Sequence, residues 1–313
     1  MRPQLRRILI QALWGCIVIG SAAAEQTIAS GNIDELIRSL SGKTDAASLN
    51  MLSRAHYAME QWDNAIKNGE KAVDLSASNA EYHWWLGRAY GEKAASANPL
   101  SAASLAGKTR NQFEQAVKLD PSNVQARSDL AEYYTEAPSI MGGGLDKARE
   151  QASLMAKYNM AASHWIAFKI AEKQKQYDAA EQELQSAIQL AKDPAQYWMN
   201  LASFYRKRSR LEDMQKAIAQ AIAQPGKSAE VYYNAASVLL QAGRDFPSAL
   251  QYSKKYLDSG AMVEDAPAFR AHYLQGQIYE KLGDKSAAAS EYKASIALAS
   301  GFAPASKALG RVQ

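Results

Sequence analysis

The sequence repeats itself, and this property confines the chain to a narrow set of folds. Aligned on Leu86-Gly87, equivalent pairs occur at Leu52-Ser53, Leu130-Ala131, Ala167-Phe168, Leu201-Ala202, Ala235-Ala236 and Gln275-Gly276. The successive spacings are 34, 44, 37, 34, 34 and 40 residues. A small residue recurs downstream of the pair as Ala65, Ala148, Ala180, Ala249 and Ala288, with Thr109 and Met214 in the weaker units. The units also end alike, in Ala72-Val73-Asp74-Leu75, Ala116-Val117-Lys118-Leu119, Ala187-Ile188-Gln189-Leu190 and Ser295-Ile296-Ala297-Leu298. A unit of this length holds two short helices, which cannot bury their apolar face alone and must stack on the next pair. Alanine is abundant and β-branched runs are scarce, which suits helices that approach closely. The sequence therefore predicts an all-α array of about seven helical hairpins over residues 46–302.

The departures from the period locate insertions. The second unit carries ten extra residues between Gly87 and Thr109, rich in Ala and Ser. They predict either lengthened helices or a longer loop, near residues 91–108. The third unit carries extra residues at Pro138-Ser139-Ile140-Met141-Gly142-Gly143-Gly144, and the sixth carries one near Phe246-Pro247. Residues 32–40, within an N-terminal region of 25–45, read as an unpaired helix. Residues 303–313 read as a second, C-terminal one. Both are expected to cap the terminal repeats, whose outer faces would otherwise stay apolar and exposed.

The first residues are a targeting segment. Arg2, Arg6 and Arg7 precede an apolar stretch from Ile8 to Gly20, and Ser21-Ala22-Ala23-Ala24 offers small residues for cleavage. The stretch is short for a membrane span, which favours cleavage after Ala24 over an uncleaved anchor. Residues 1–24 are accordingly read as a signal peptide, and the mature chain as exported, periplasmic or otherwise, touching the membrane only in transit. Removing its three arginines lowers the net charge from +4 to +1, leaving 33 basic against 32 acidic residues. The basic excess is thus no nucleic-acid footprint. The single cysteine, Cys16, lies in the apolar stretch. Bulky Trp14 just before it and the greasy residues after it argue against a lipid-attachment site. The mature chain then has no thiol for a disulfide, a nucleophile or a metal.

Catalytic constellations are thin, and the sequence predicts no enzyme, no cofactor and no metal. His83, His164 and His272 occupy equivalent repeat positions, so they fall on successive hairpins about 10 Å apart, too far to share one ion. The glycines before Leu145-Asp146-Lys147 do not match a phosphate-binding loop, which needs Gly-Lys-Ser/Thr after a strand. They predict a permissive turn. The run Arg206-Lys207-Arg208-Ser209-Arg210 falls at a hairpin turn, where cations complement a helix C-terminus.

The block Tyr82-His83-Trp84-Trp85-Leu86-Gly87-Arg88-Ala89-Tyr90, closed by Leu119-Asp120-Pro121, resembles the tetratricopeptide repeat (TPR). With Ala137-Pro138-Ser139-Ile140-Met141-Gly142-Gly143-Gly144 it is similar to exported bacterial TPR proteins of unassigned role. The resemblance covers nearly all of the mature chain. It implies a right-handed superhelical solenoid in which the first helices line a ligand groove. Carried onto this sequence, that groove holds Trp84, Trp85, Arg88, Asp129, Glu132, Glu136, Trp165, Lys169, Lys173, Asn200, Arg206, Lys207, Tyr233, Asn234, Tyr273, Gln277 and Lys281. Adjacent Trp84 and Trp85 cannot face the same way, so one packs between hairpins. Asn200 and Asn234 are expected on the exposed face, each able to bond a ligand backbone. An acidic third unit beside a basic fifth makes the groove bipolar. The Lys, Asn and Arg set with which chaperone-binding TPR proteins grip a terminal carboxylate is not in register. The implied function is an extracytoplasmic scaffold for a partner protein or peptide. Alternatives are a subunit of an envelope enzyme complex, an unrecognised enzyme, or a self-associating oligomer.

Overall fold

Helix succeeds helix along the whole described chain, and the pairing follows the repeat. The structure, a computed structural model, describes residues 28–313, among which there is no strand. The expected signal peptide, its expected cleavage site and Cys16 lie outside the described residues. The first hairpin is α2 (Ala46–Ala58) with α3 (Trp62–Leu75), the second α4 (Ala80–Ser96) with α5 (Pro99–Leu119). The third is α6 (Val124–Glu136) with α7 (Leu145–Met155), and the fourth α8 (Met160–Lys173) with α9 (Tyr177–Leu190). The fifth, α10 (Ala195–Lys207) and α11 (Leu211–Ala223), precedes the sixth, α12 (Glu230–Ala242) and α13 (Phe246–Asp258). The seventh is α14 (Ala268–Leu282) with α15 (Lys285–Leu298). Single helices α1 (Ile33–Leu40) and α16 (Ala303–Val312) flank the array. The chain divides into two compact units, residues 42–57 with 61–192, and residues 28–41 with 58–60 and 193–313.

In the first, second and seventh hairpins, side-chain sizes are complementary where the two helices cross. A Cβ placed on Gly87 would lie 2.6 Å from the Phe113 ring, and one on Gly276 2.4 Å from Tyr292. In the first hairpin the sizes reverse: Gly69 on the second helix faces Ser53, at 3.0 Å from a would-be Cβ. The Ser53 hydroxyl donates to the Ala65 carbonyl at 2.7 Å across the same crossing.

Local chemistry sets the helix ends. Asn79, Asn123 and Asn159 accept backbone N–H groups at the starts of α4, α6 and α8, satisfying donors that a helix leaves open. The turns inside the first, fourth and fifth hairpins pass through left-handed backbone at Glu60, Lys175 and Ser209, where the sixth and seventh use Gly243 and Gly283. The insertion in the second unit resolves into longer helices: α4 has 17 residues and α5 has 21. Asn98 caps α5 directly, accepting from the Ser101 N–H.

Successive hairpins are wedged by tyrosines that reach back to the preceding second helix. The Tyr90 hydroxyl donates to Glu70, and Tyr134 to Glu114 at 2.8 Å. Lys254 lies over the Tyr279 ring at 5.7 Å. Tyr205 lies under Arg210 of its own hairpin at 4.4 Å.

The N-terminal helix bonds to the far end of the sequence. Asn32 Nδ2 donates to the Ala297 carbonyl at 3.0 Å, and the Ser300 N–H donates to Asp34 Oδ2 at 2.9 Å. Ile28, Ala29 and Ile33 are buried in the process. Sequence order gave no hint of this, because it follows from a tertiary contact.

The crossing geometry makes a direct prediction. Gly276→Ala lowers the melting temperature, because overpacking against Tyr292 costs about 1–3 kcal/mol and outweighs the gain in helix propensity. Gly107→Ala raises it by roughly 0.5–1 kcal/mol of stability, since nothing lies within 4 Å of the added methyl. Thermal unfolding by circular dichroism distinguishes the two signs.

Candidate functional site

The first helices of neighbouring hairpins carry side chains that meet one another, and these define the candidate site. In the first compact unit these side chains pair with one another. Trp84 Nε1 donates to Asp129 Oδ2 at 2.8 Å, tying α4 to α6. The Arg88 guanidinium, 2% exposed, lies 4.4 Å from the Trp85 ring, 4.9 Å from Tyr57 and 5.2 Å from Trp84. Arg54 lies over the opposite side of this cluster, 4.9 Å from Trp85, and donates to Glu81 at 2.8 Å. Cation–π contacts shielded from water in this way contribute about 1–2 kcal/mol each.

The third and fourth hairpins are joined by charge. Lys169 Nζ meets Glu132 Oε1 at 2.8 Å, and Lys173 meets Glu136 Oε2 at 2.8 Å. Burial opposes the charge on Lys169, but Glu132, Glu172 and Glu136 outweigh it and hold its pKa above the ordinary lysine value. Lys169 also lies 5.9 Å from the buried Trp165 ring. The predicted residues Trp84, Arg88, Glu132, Trp165 and Lys169 thus fall into two clusters, one around Arg88 and one around Lys169. The acids of the third unit are engaged by Trp84, Lys169 and Lys173, and this accounts for their charge without a ligand.

The second unit is built differently. Asn200 and Asn234, expected on the exposed face, are both buried. The correction has a physical cause: α10 and α12 pack side by side, and the Asn234 amide is used between them. Its Nδ2 donates to Gln196 Oε1 at 3.0 Å and to Glu230 Oε1 at 3.3 Å. Tyr233 and Tyr273 remain partly buried, neighbours across α12 and α14, with Tyr233 packed on Tyr256 at 5.5 Å. Arg270 donates to the Ala58 carbonyl at 2.9 Å and pairs with Glu60 at 3.4 Å. Arg206 is partly buried at the end of α10, away from these contacts along the helix.

Glu230, which the sequence reading missed, is the exceptional group here. Burial, and then the Asp265 carboxylate, push its carboxyl up to about 7, against the opposing donation from Asn234. Gln196, Glu230 and Arg270 occupy one repeat position, five residues before each aligned pair, which is also the position of Glu81. Comparing that position across units would have found them.

The other singled-out residues have internal roles. His83 Nδ1 meets Gln112 at 2.6 Å, while His164 and His272 meet Glu183 and Glu291, each at 2.7 Å. These are equivalent bonds between the two helices of a hairpin, and no group among the described residues could hold a metal ion. At the glycine turn the N–H groups of Gly142, Gly143 and Gly144 bond to Ser139, Pro138 and Tyr134 carbonyls. They form no cradle for an anion. A Cβ at Gly143 would strike the Ala137 carbonyl oxygen at 1.9 Å, which explains the glycine there. In the basic run, Arg208 lies over Phe204 at 5.5 Å and Arg210 pairs with Asp213 at 2.8 Å.

Stacked helical hairpins with an aromatic and polar first-helix face define a repeat-array protein. The chain carries tetratricopeptide repeats: residues 54–93 match the pattern described as TPR repeat, and residues 233–301 the one described as tetratricopeptide repeat. Solved structures similar to it include a chain of the APC/C hetero-tetramer Cut9–Hcn1, at 14% identity and a TM-score of 0.43, over 90% of this chain. This chain spans only 51% of that one. A TPR protein of Parabacteroides merdae is similar at 14% identity and a TM-score of 0.44, over 90% of this chain and 98% of its own. A thermophilic TPR protein of Thermus thermophilus is similar at 22% identity and a TM-score of 0.45, over 62% of this chain and 99% of its own. Among curated proteins none matches the sequence.

Two outcomes follow from the charges. Lys169→Met removes the ion pair with buried Glu132 and lowers stability by about 3 kcal/mol, whereas adding Glu132→Leu recovers most of the loss. Chemical denaturation of the three proteins measures this. Glu230 is harder to ionise in the fold than at its ordinary 4.5, so the fold loses stability as pH rises from there through about 7. Glu230→Gln removes that loss: the variant gains about 1–3 kcal/mol over the natural protein at pH 8 and nothing at pH 4. Melting curves at the two pH values check the sign.

Proposed function

We propose that the chain is an extracytoplasmic scaffold that captures a partner protein or peptide on its first-helix face. TPR arrays generally mediate protein–protein contacts, and the leader-like residues 1–24 support export. One observation carries the site: the face around α12 combines partly exposed Tyr233 and Tyr273 with a carboxyl, Glu230, that has no cation of its own among the described residues. Tyrosine is among the residue types that dominate binding energy at protein interfaces. The face of the first unit, by contrast, is filled by its own Arg88 and Lys169 contacts, and its role is to hold the array. The mature protein begins at Glu25 and works without catalysis, cofactor or nucleic acid.

Photocrosslinking in the native host tests this. A photoreactive aromatic residue in place of Tyr233 or Tyr273 yields a covalent adduct with a second protein, identified by mass spectrometry. The same residue in place of exposed Lys118 on α5 does not. Adducts of equal yield from all three positions would contradict the assignment of the face, and adducts only with a second copy of the chain would replace it with self-association.

A further inference from the structure

Position by position, the array matches a charge on one first helix with its opposite nearby. Glu81 has Arg54 at 2.8 Å, and Arg270 has Glu60 at 3.4 Å. Glu230, at the same repeat position, breaks the rule. Its hydrogen-bond partner is the neutral amide of Asn234, and the charge that acts on it is the like charge of Asp265. Tyr233 on its own helix and Tyr256 from α13 also face this carboxyl, and burial raises the pKa of both phenols. Arg270, the nearby cation on α14, is committed to Glu60 and the Ala58 carbonyl. An ionised carboxylate in such a place is incomplete without a counter-ion.

A second, independent group is also incomplete. On the other side of Asn234, Gln196 uses its carbonyl oxygen as an acceptor, while its amide nitrogen is buried with no hydrogen-bond partner. A buried donor without an acceptor is a cost that folding alone leaves standing. The face therefore lacks a cation at Glu230 and an acceptor at Gln196, with phenol rings beside them. A simple polyamine offers the first without the second. A polypeptide with a basic side chain offers both, because its backbone carbonyls are acceptors.

Resting on the reading of this face as the partner surface, we infer that the partner binds through a lysine or arginine side chain. Glu230 is its counter-ion, Tyr233 and Tyr273 flank it, and Gln196 takes a carbonyl of the partner's backbone once the amide turns outward. This sets the direction of charge: the partner's docking segment is basic, and an acidic one is repelled by Glu230 and Asp265.

The test uses the full chain and fluorescein-labelled peptide pools with randomised flanks and a fixed central Lys, Arg, Gln or Glu. At pH 8, fluorescence polarisation gives the Lys and Arg pools roughly tenfold tighter binding than the Gln and Glu pools. The advantage shrinks about tenfold between pH 8 and pH 6, as Glu230 takes up its proton near 7. Glu230→Gln abolishes both the preference and its pH dependence, Glu230→Asp keeps them, and spermidine competes weakly. Equal binding of all four pools would leave the partner surface standing and overturn the basic-segment inference, as would preference for the Glu pool. Competition by spermidine as strong as by an unlabelled Lys pool would overturn the polypeptide assignment. Binding of none of the pools would overturn both the inference and the reading of the face.

Discussion

Two helices in each hairpin approach until backbone nearly meets side chain, and every other feature depends on that approach. The space at the crossing is shared, not fixed to one residue. Gly87 admits Phe113 and Gly276 admits Tyr292, while in the first hairpin Gly69 admits Ser53. A large residue on one helix requires a small one on the other, because a packed interior has no slack to absorb both. This reciprocity lets the repeat vary in sequence while holding its geometry.

Once the hairpins are fixed, the first helices present equivalent positions to one another, and their polar groups must be satisfied there. The two units do this differently. In the first, Arg54, Arg88, Glu132 and Lys169, all at one repeat position, are consumed by rings and carboxylates of neighbouring helices. Such a face is stable and self-contained. In the second, Asn234 replaces charge with amide bonds, and Glu230 has no cation among the described residues. A polar group that folding leaves incomplete marks a place where function, not stability, set the residue.

The hairpins were legible in the sequence because helix pairing rests on local signals: the small-residue pair, the small residue that recurs downstream of it and the apolar helix endings. The aromatic row Trp84, Trp165, Tyr233 and Tyr273 was legible for the same reason, since it sits at one repeat position. Partner choice was not. That Trp84 would bond Asp129, and Asn234 would bond Gln196, depends on side-chain placement across hairpins, which no single repeat encodes. The burial of Asn200 and Asn234 was missed because the resemblance assigns direction to a position without knowing how closely its neighbours pack. The docking of α1 on the last hairpin was invisible for a simpler reason: it joins residues 265 apart in sequence.

The central claim is that the face around α12 keeps a carboxyl which no cation among the described residues neutralises. A carbon-13 titration of the glutamate side chains in the full chain reads this directly, with Glu230 assigned by substitution. The account predicts that Glu230 titrates near 7. A Glu230 carboxyl titrating at or below the ordinary 4.5 would show that an internal cation already completes it, and would contradict the account.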